Sequence, residues 1–226
     1  GNSLAEFATT TALMATLAAT AAPKLSEMSE GAKAEKSRNE IDKMVKQAGQ
    51  FYQDKAAAAP EGEGRGRFPG QSKFNESVGY GSSTYSNAGA TSSDNAQSRI
   101  DSDAHRLAIE TDLGNVDGQD GWRQYNDTPT AVWVSVFGTT NADNPVPNGA
   151  TLGGDANATA KITDNTSGTT EWKELFGDEV MGSTFQDGHY VYSVVAGGGS
   201  GMDVYPPTLY VADIENATDF NNLLEP

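Results

Sequence analysis

The chain of 226 residues has no cysteine. No disulfide staples it, and neither a thiolate metal site nor a cysteine nucleophile is available. Histidine is nearly as scarce: only His105 and His189 are present, and nothing in the sequence pairs either with a nucleophile as a hydrolytic triad requires. Cations are outnumbered, 15 Lys and Arg against 31 Asp and Glu for a net charge of −16, which argues against a basic nucleic-acid-binding surface. The glycines of "AGGGSG" (196–201) lack the Gly-Lys-Ser/Thr ending of a phosphate loop, and Ser200 lacks the glycine two residues later that a nucleophile elbow needs. These absences point away from catalysis, and the reading is of a protein that is not an enzyme.

What is present is unevenly placed. Residues 1–73 hold ten Lys/Arg and nine Asp/Glu, whereas residues 74–226 hold five and 22. A balanced first third is joined to a strongly acidic remainder, which suggests one part in contact with protein and another facing water.

From Leu4 to Ala22 the only charge is Glu6, and there is no Gly or Pro. The run approaches the ~20 residues of a membrane span but is only weakly apolar. A signal peptide would show a basic start and a small-residue cleavage site after the apolar stretch, whereas here more helix follows. Beyond Pro23, residues Ile41, Met44, Val45, Ala48, Phe51 and Tyr52 recur on one helical face, and Glu40 with Lys36 or Asp42 with Lys46 are spaced to pair outside it. The pattern predicts one helix from about Ser3 to about Ala58, roughly 80 Å long, kinked at Pro23, whose ring clashes with the preceding turn.

The expected domains are this helix over residues 1–58, divided into an apolar assembly or membrane segment (1–23) and an amphipathic one (24–58), and an acidic head over 59–226. In the head "APEGEGRGRFPGQ" and the Gly/Ser/Asn-rich stretch after it read as loops. Strands are predicted at 130–138, near 158–163, at 189–197 and at 208–214, with short helices at 104–113 and 170–177, the latter stopped by Gly177. The fold class is α+β, one very long N-terminal helix packed on a small antiparallel sheet. Trp122, Trp133 and Trp172 read as core or interface aromatics.

With a cleavage after Gly1, Glu6 becomes the fifth mature residue and Pro23 the twenty-second. These two spacings, the apolar run and the amphipathic continuation resemble the type IV pilins and type II secretion pseudopilins over residues 1–58. The chain differs from the family's habit in starting with Asn2 rather than Phe or Met, in using Ala and Thr where branched residues are usual, and in lacking the C-terminal disulfide of many pilins. The resemblance implies a pilin-like fold and a major pilin that polymerises into an extracellular filament at the cell surface. Such a pilin is anchored in the inner membrane before assembly, with prepilin peptidase, the inner-membrane assembly machinery and its own copies as partners. Asn2, Leu4, Glu6 and Phe7 would serve assembly and register. A lone carboxylate is untenable in a helix-packed core, and the nearest cation is a terminal amine. Adhesion and motility are functions that pili perform with accessory proteins. The alternatives are a secretion pseudopilin with a calcium-stabilised head and a membrane-anchored surface-binding module.

Two weaker patterns remain. Asp112, Asn115, Asp117 and Asp120 supply oxygens for a candidate Ca²⁺ turn without EF-hand spacing, and otherwise no cofactor is implied. Asn75, Asn126, Asn157, Asn165 and Asn216 each begin an Asn-x-Ser/Thr triplet, a candidate glycosylation signal that a chain of this composition also produces by chance.

Overall fold

The structure is a computed structural model that describes residues 3–57, 62–79, 95–113, 133–138, 165–185, 188–199, 204–214 and 217–226, with the backbone alone for 3–25, 95–101, 111 and 112. The chain divides into two compact units, Gly1–Lys36 and Ser37–Pro226. The elements in chain order are helices α1 (Ser3–Ala56) and α2 (Asn95–Leu113), strand β1 (Val134–Ser135), helix α3 (Thr166–Leu175), and strands β2 (Tyr190–Val195), β3 (Thr208–Asp213) and β4 (Asn221–Leu224). The class is α+β: an N-terminal helix and an antiparallel four-stranded sheet in the order β1-β2-β3-β4.

Every residue of β2 and β3 is buried, so both faces of the sheet are covered at these two strands, while β4 is exposed or half-buried. Tyr190, Tyr192 and Val194 lie opposite Asp213, Val211 and Leu209 on one face. On this side Trp172 of α3 meets Tyr192 edge-on with ring centroids 5.4 Å apart, and Ser37 of α1 reaches Asp213. The other face sets Val191, Val195, Tyr210 and Ala212 against Ile109 of α2, with Trp133, Ile214 and Ala217 completing the cluster. A strand buried on both sides needs apolar residues at successive positions, and this is why 190–195 reads as a continuous run and not an alternation.

Several elements depart from the sequence reading. The strand expected over 130–138 contracts to Val134–Ser135 among the described residues. Farther along the same edge of β2, Val78 pairs with Val194 through two backbone hydrogen bonds of 3.0 and 2.9 Å, and Phe74 O accepts from Gly197 N. A segment that reads as loop therefore occupies edge that a longer β1 would need. Helix α2 starts at Asn95, nine residues before the expected 104. Helix α3 covers Thr166–Leu175 where 170–177 was expected. Asn165 caps it by accepting from Gly168 N at 2.9 Å, a start that "TSGTT" conceals because Ser, Gly and Thr are weak helix formers. Its end falls where expected, with Gly177 and Asp178 both at positive φ. Strand β4 was not expected at all, since "NNLL" has no β-branched residue. The strand expected near 158–163 and Trp122 lie outside the described residues.

Candidate functional site: the α1 face and its lock on the sheet

Helix α1 changes character along its described side chains. From Ser26 to Lys36 they are exposed apart from a half-buried Ala34, and Met28 is 72 % exposed. From Ser37 onward one face is buried: Ser37, Ile41, Met44, Val45, Ala48 and Phe51, with Tyr52 half-buried. The apolar members are the residues that the helical spacing selects. At Gly49 a methyl group would touch the Leu224 side chain of β4 at 3.4 Å, ordinary contact distance.

Three polar connections fix this part of α1 in place. Ser37 Oγ donates to Asp213 Oδ2 at 3.0 Å, and Ser183 Oγ donates to the same oxygen at 2.6 Å. Asp213 is fully buried, and a carboxylate in that environment requires such donors. Asn222 Nδ2 of β4 donates to Asp42 Oδ1 at 2.7 Å. Asp42 therefore meets the sheet's last strand, in place of the Lys46 that sequence spacing offered it. At the far end Arg67, only 8 % exposed, bridges Glu63 at 2.9 Å and Glu171 of α3 at 2.8 Å and lies over the Phe51 ring. Lys55 reaches Glu63 at 3.3 Å, and these cations hold the Glu63 carboxyl below its usual pKa. The stretch after α1, which reads as a loop, thereby binds α1 to α3.

Of the proposed assembly residues, Asn2 lies outside the described residues, as do the side chains of Leu4, Glu6 and Phe7; Pro23 falls within the bounds of α1. Asp112 belongs to the last turn of α2 by its backbone, while its side chain and Asn115, Asp117 and Asp120 lie outside the description. Among the described residues no group of three or more His, Asp or Glu could hold a metal ion, and no helix is long and apolar enough to cross a membrane. Of the candidate glycosylation positions, Asn126, Asn157 and Asn216 are outside the described residues and Asn75 is half-buried. Asn165 is committed structurally: besides capping α3 it donates from Nδ2 to Gly70 O at 3.0 Å, so a sugar on that nitrogen would compete with the contact between α3 and the 67–70 loop.

Sequence reasoning missed the surroundings of the two histidines. His105 Nε2 lies 2.7 Å from Ser193 Oγ, and His189 Nε2 lies 2.7 Å from Ser135 Oγ. Ser193 donates onward to Val78 O at 3.0 Å, so its hydroxyl proton is occupied and His105 Nε2 carries the hydrogen between them. All four residues are buried, and burial, aided by Arg106, lowers the His105 pKa from its ordinary value to about 3. His105 and Ser193 form a neutral pair that ties α2 to β2, whereas His189 and Ser135 join the start of β2 to β1 within the sheet. Their spacing of 88 and 54 residues in sequence leaves no local signal.

Comparison with known proteins finds no matching family model, curated protein or solved structure.

Proposed function

We propose that this chain is a structural subunit, a pilin-like major subunit that polymerises through a very long N-terminal helix into an extracellular filament at the cell surface, after anchoring in the inner membrane. Residues 3–58 form the filament core and the acidic head its outer layer. Glu6 neutralises the terminal amine of an adjoining subunit and sets axial register, while Pro23 opens the helix locally. The partners are further copies of the chain, a prepilin peptidase that cuts after Gly1, and the inner-membrane assembly machinery. Adhesion or motility would follow from the filament, and catalysis, nucleic-acid binding and a cofactor have no part in the mechanism.

The observation that carries the reading is the change along α1. Its 37–51 face is sealed on the head, while the preceding 26–36 segment exposes nearly every side chain, Met28 included. The sequence then continues into the nearly uncharged Leu4–Ala22 run. Burial of that run against equivalent helices is the proposed drive for assembly.

Negative-stain microscopy of material sheared from cells making the chain, with mass spectrometry of its N-terminus, tests this. Thin uniform filaments whose first residue is Asn2 are expected. Absence of filaments, with the protein retained in the membrane fraction, overturns the reading in favour of an anchored surface module.

A further inference from the structure

Resting on the polymerisation reading, the geometry of the head points to a specific subunit contact: we propose that a basic cleft beside the C-terminal end of α1 docks the acidic turn after α3 of a second copy. The cleft, about 440 Å³, is lined by Glu63, Gly64, Arg65, Ser72, Lys73 and Phe74. Arg65 lies over the Phe74 ring, 4.5 Å from its centroid, which holds the guanidinium at the cleft wall. Arg65 and Lys73 are exposed, and neither forms an ion pair with a described residue. The carboxylate in the lining, Glu63, is already engaged by Arg67 and Lys55, so the cleft presents two cations that no described carboxylate pairs. On a chain whose residues 74–226 carry 22 acids and five bases, such a place attracts the chain's own surface.

The complementary patch lies on the same head. Glu174, Asp178 and Glu179 are exposed around the turn that ends α3, and none is ion-paired among the described residues. The turn is rigid, with Asp178 N bonded to Lys173 O at 2.8 Å and Gly177 N to Glu174 O at 3.2 Å. Its nearby cations are Lys173 and Lys43, the latter over the Phe176 ring at 5.4 Å, so three carboxylates face two lysines.

The two patches sit at different levels along α1. The acidic turn adjoins Lys43, whereas at Gly66, next to Arg65, a methyl group would run into the Tyr52 ring. Nine helical residues separate those levels, roughly 14 Å. A contact joining unlike patches on two copies is heterologous and leaves one free patch of each sign, so a repeated step with an axial offset extends an open helical assembly.

Zero-length carbodiimide cross-linking of the full chain, mixed as equal parts ¹⁴N- and ¹⁵N-labelled protein, tests the contact. Mixed-isotope peptides joining Lys73 to Glu174, Asp178 or Glu179 are expected. Reversal of the cleft (Arg65→Glu with Lys73→Glu) or of the turn (Asp178→Lys with Glu179→Lys) should remove filaments at ~0.15 M salt, where close charge pairs still act. The variant carrying all four changes restores the complementarity and should restore filaments. If the wild type assembles and the four-residue variant and both reversals assemble equally well, or if Lys73 gives no intermolecular link to this turn, the contact is overturned while polymerisation stands. If the wild type forms no filament, polymerisation itself fails, and the mixed-isotope link in solution still decides the docking.

Discussion

Gly168 of α3 and Gly70 of the loop after α1 both lie against the Tyr192 hydroxyl, so close that a Cβ at either position would overlap its oxygen. Gly70 also has φ +84, a conformation that other residues adopt only under strain. Gly168 sits within a helix, where alanine would ordinarily be favoured by about 1 kcal/mol. Here the sign reverses: Gly168→Ala should destabilise the head by about 1–3 kcal/mol, the usual cost of overpacking a core. Thermal unfolding should show a lower Tm, and adding Tyr192→Phe, which removes the obstructing oxygen, should recover much of the loss. An unchanged Tm for Gly168→Ala would mean that this packing does not constrain the fold. Asp213 makes a second residue-scale demand. Ser37→Ala removes one of its hydroxyl donors, and the expected cost is about 1–2 kcal/mol in urea unfolding. A smaller effect would indicate that Ser183 alone satisfies the carboxylate.

At the scale of elements, α2 is held to the sheet by His105, by Ser102 Oγ donating to Ala196 O at 3.2 Å, and by Arg106, which reaches Tyr210, Thr208 and Glu225. His105 makes that attachment sensitive to acid. Its folded pKa of about 3 lies below the ordinary 6.5, so between these values the unfolded chain binds the proton and the folded chain does not. The stabilisation is present above pH 6.5 and is lost as pH falls toward 3, by at most about 1.4 kcal/mol per pH unit. Urea unfolding at pH 7 and pH 5 should therefore show a smaller loss of stability for His105→Gln than for the wild type, by about 2 kcal/mol. Equal losses would place the acid sensitivity elsewhere. Helix α1 carries no comparable dependence in its apolar face, and its attachment was legible in the sequence. Ile41, Met44, Val45, Ala48 and Phe51 announce their buried face by spacing alone. β4, the start of α3 and the Val78 bridge were illegible. They are held by backbone pairing, of β4 with β3 and of Val78 with Val194, and by the Asn165 cap, and not by the propensity of the residues that form them.

For the whole molecule, the proposed filament places the strongest demand on Glu6. Glu6→Ala should abolish filaments on negative-stain grids while the head keeps its wild-type unfolding curve, because Glu6 belongs to the Gly1–Lys36 unit and the core of the head to the Ser37–Pro226 unit. Filaments at wild-type yield would remove the carboxylate from the mechanism. The net charge of −16 belongs to this scale as well, since in the proposed filament mutual repulsion of the acidic heads would oppose bundling.

The sequence by itself determined the α+β class, the apolar face of α1, the approximate centres of β2 and β3 and the glycine stop of α3. Each follows from local periodicity or from the steric freedom of single residues, which a one-dimensional reading can see. The tertiary structure alone decided that α2 covers the second face of the sheet, that Val78 shares the edge of β2 with a two-residue β1, and that each histidine meets a buried serine. It also decided that Asp213 holds the first sealed residue of α1. Those outcomes depend on which groups lacking water must find donors and acceptors across more than fifty residues of chain, and burial, not sequence proximity, selects the partner.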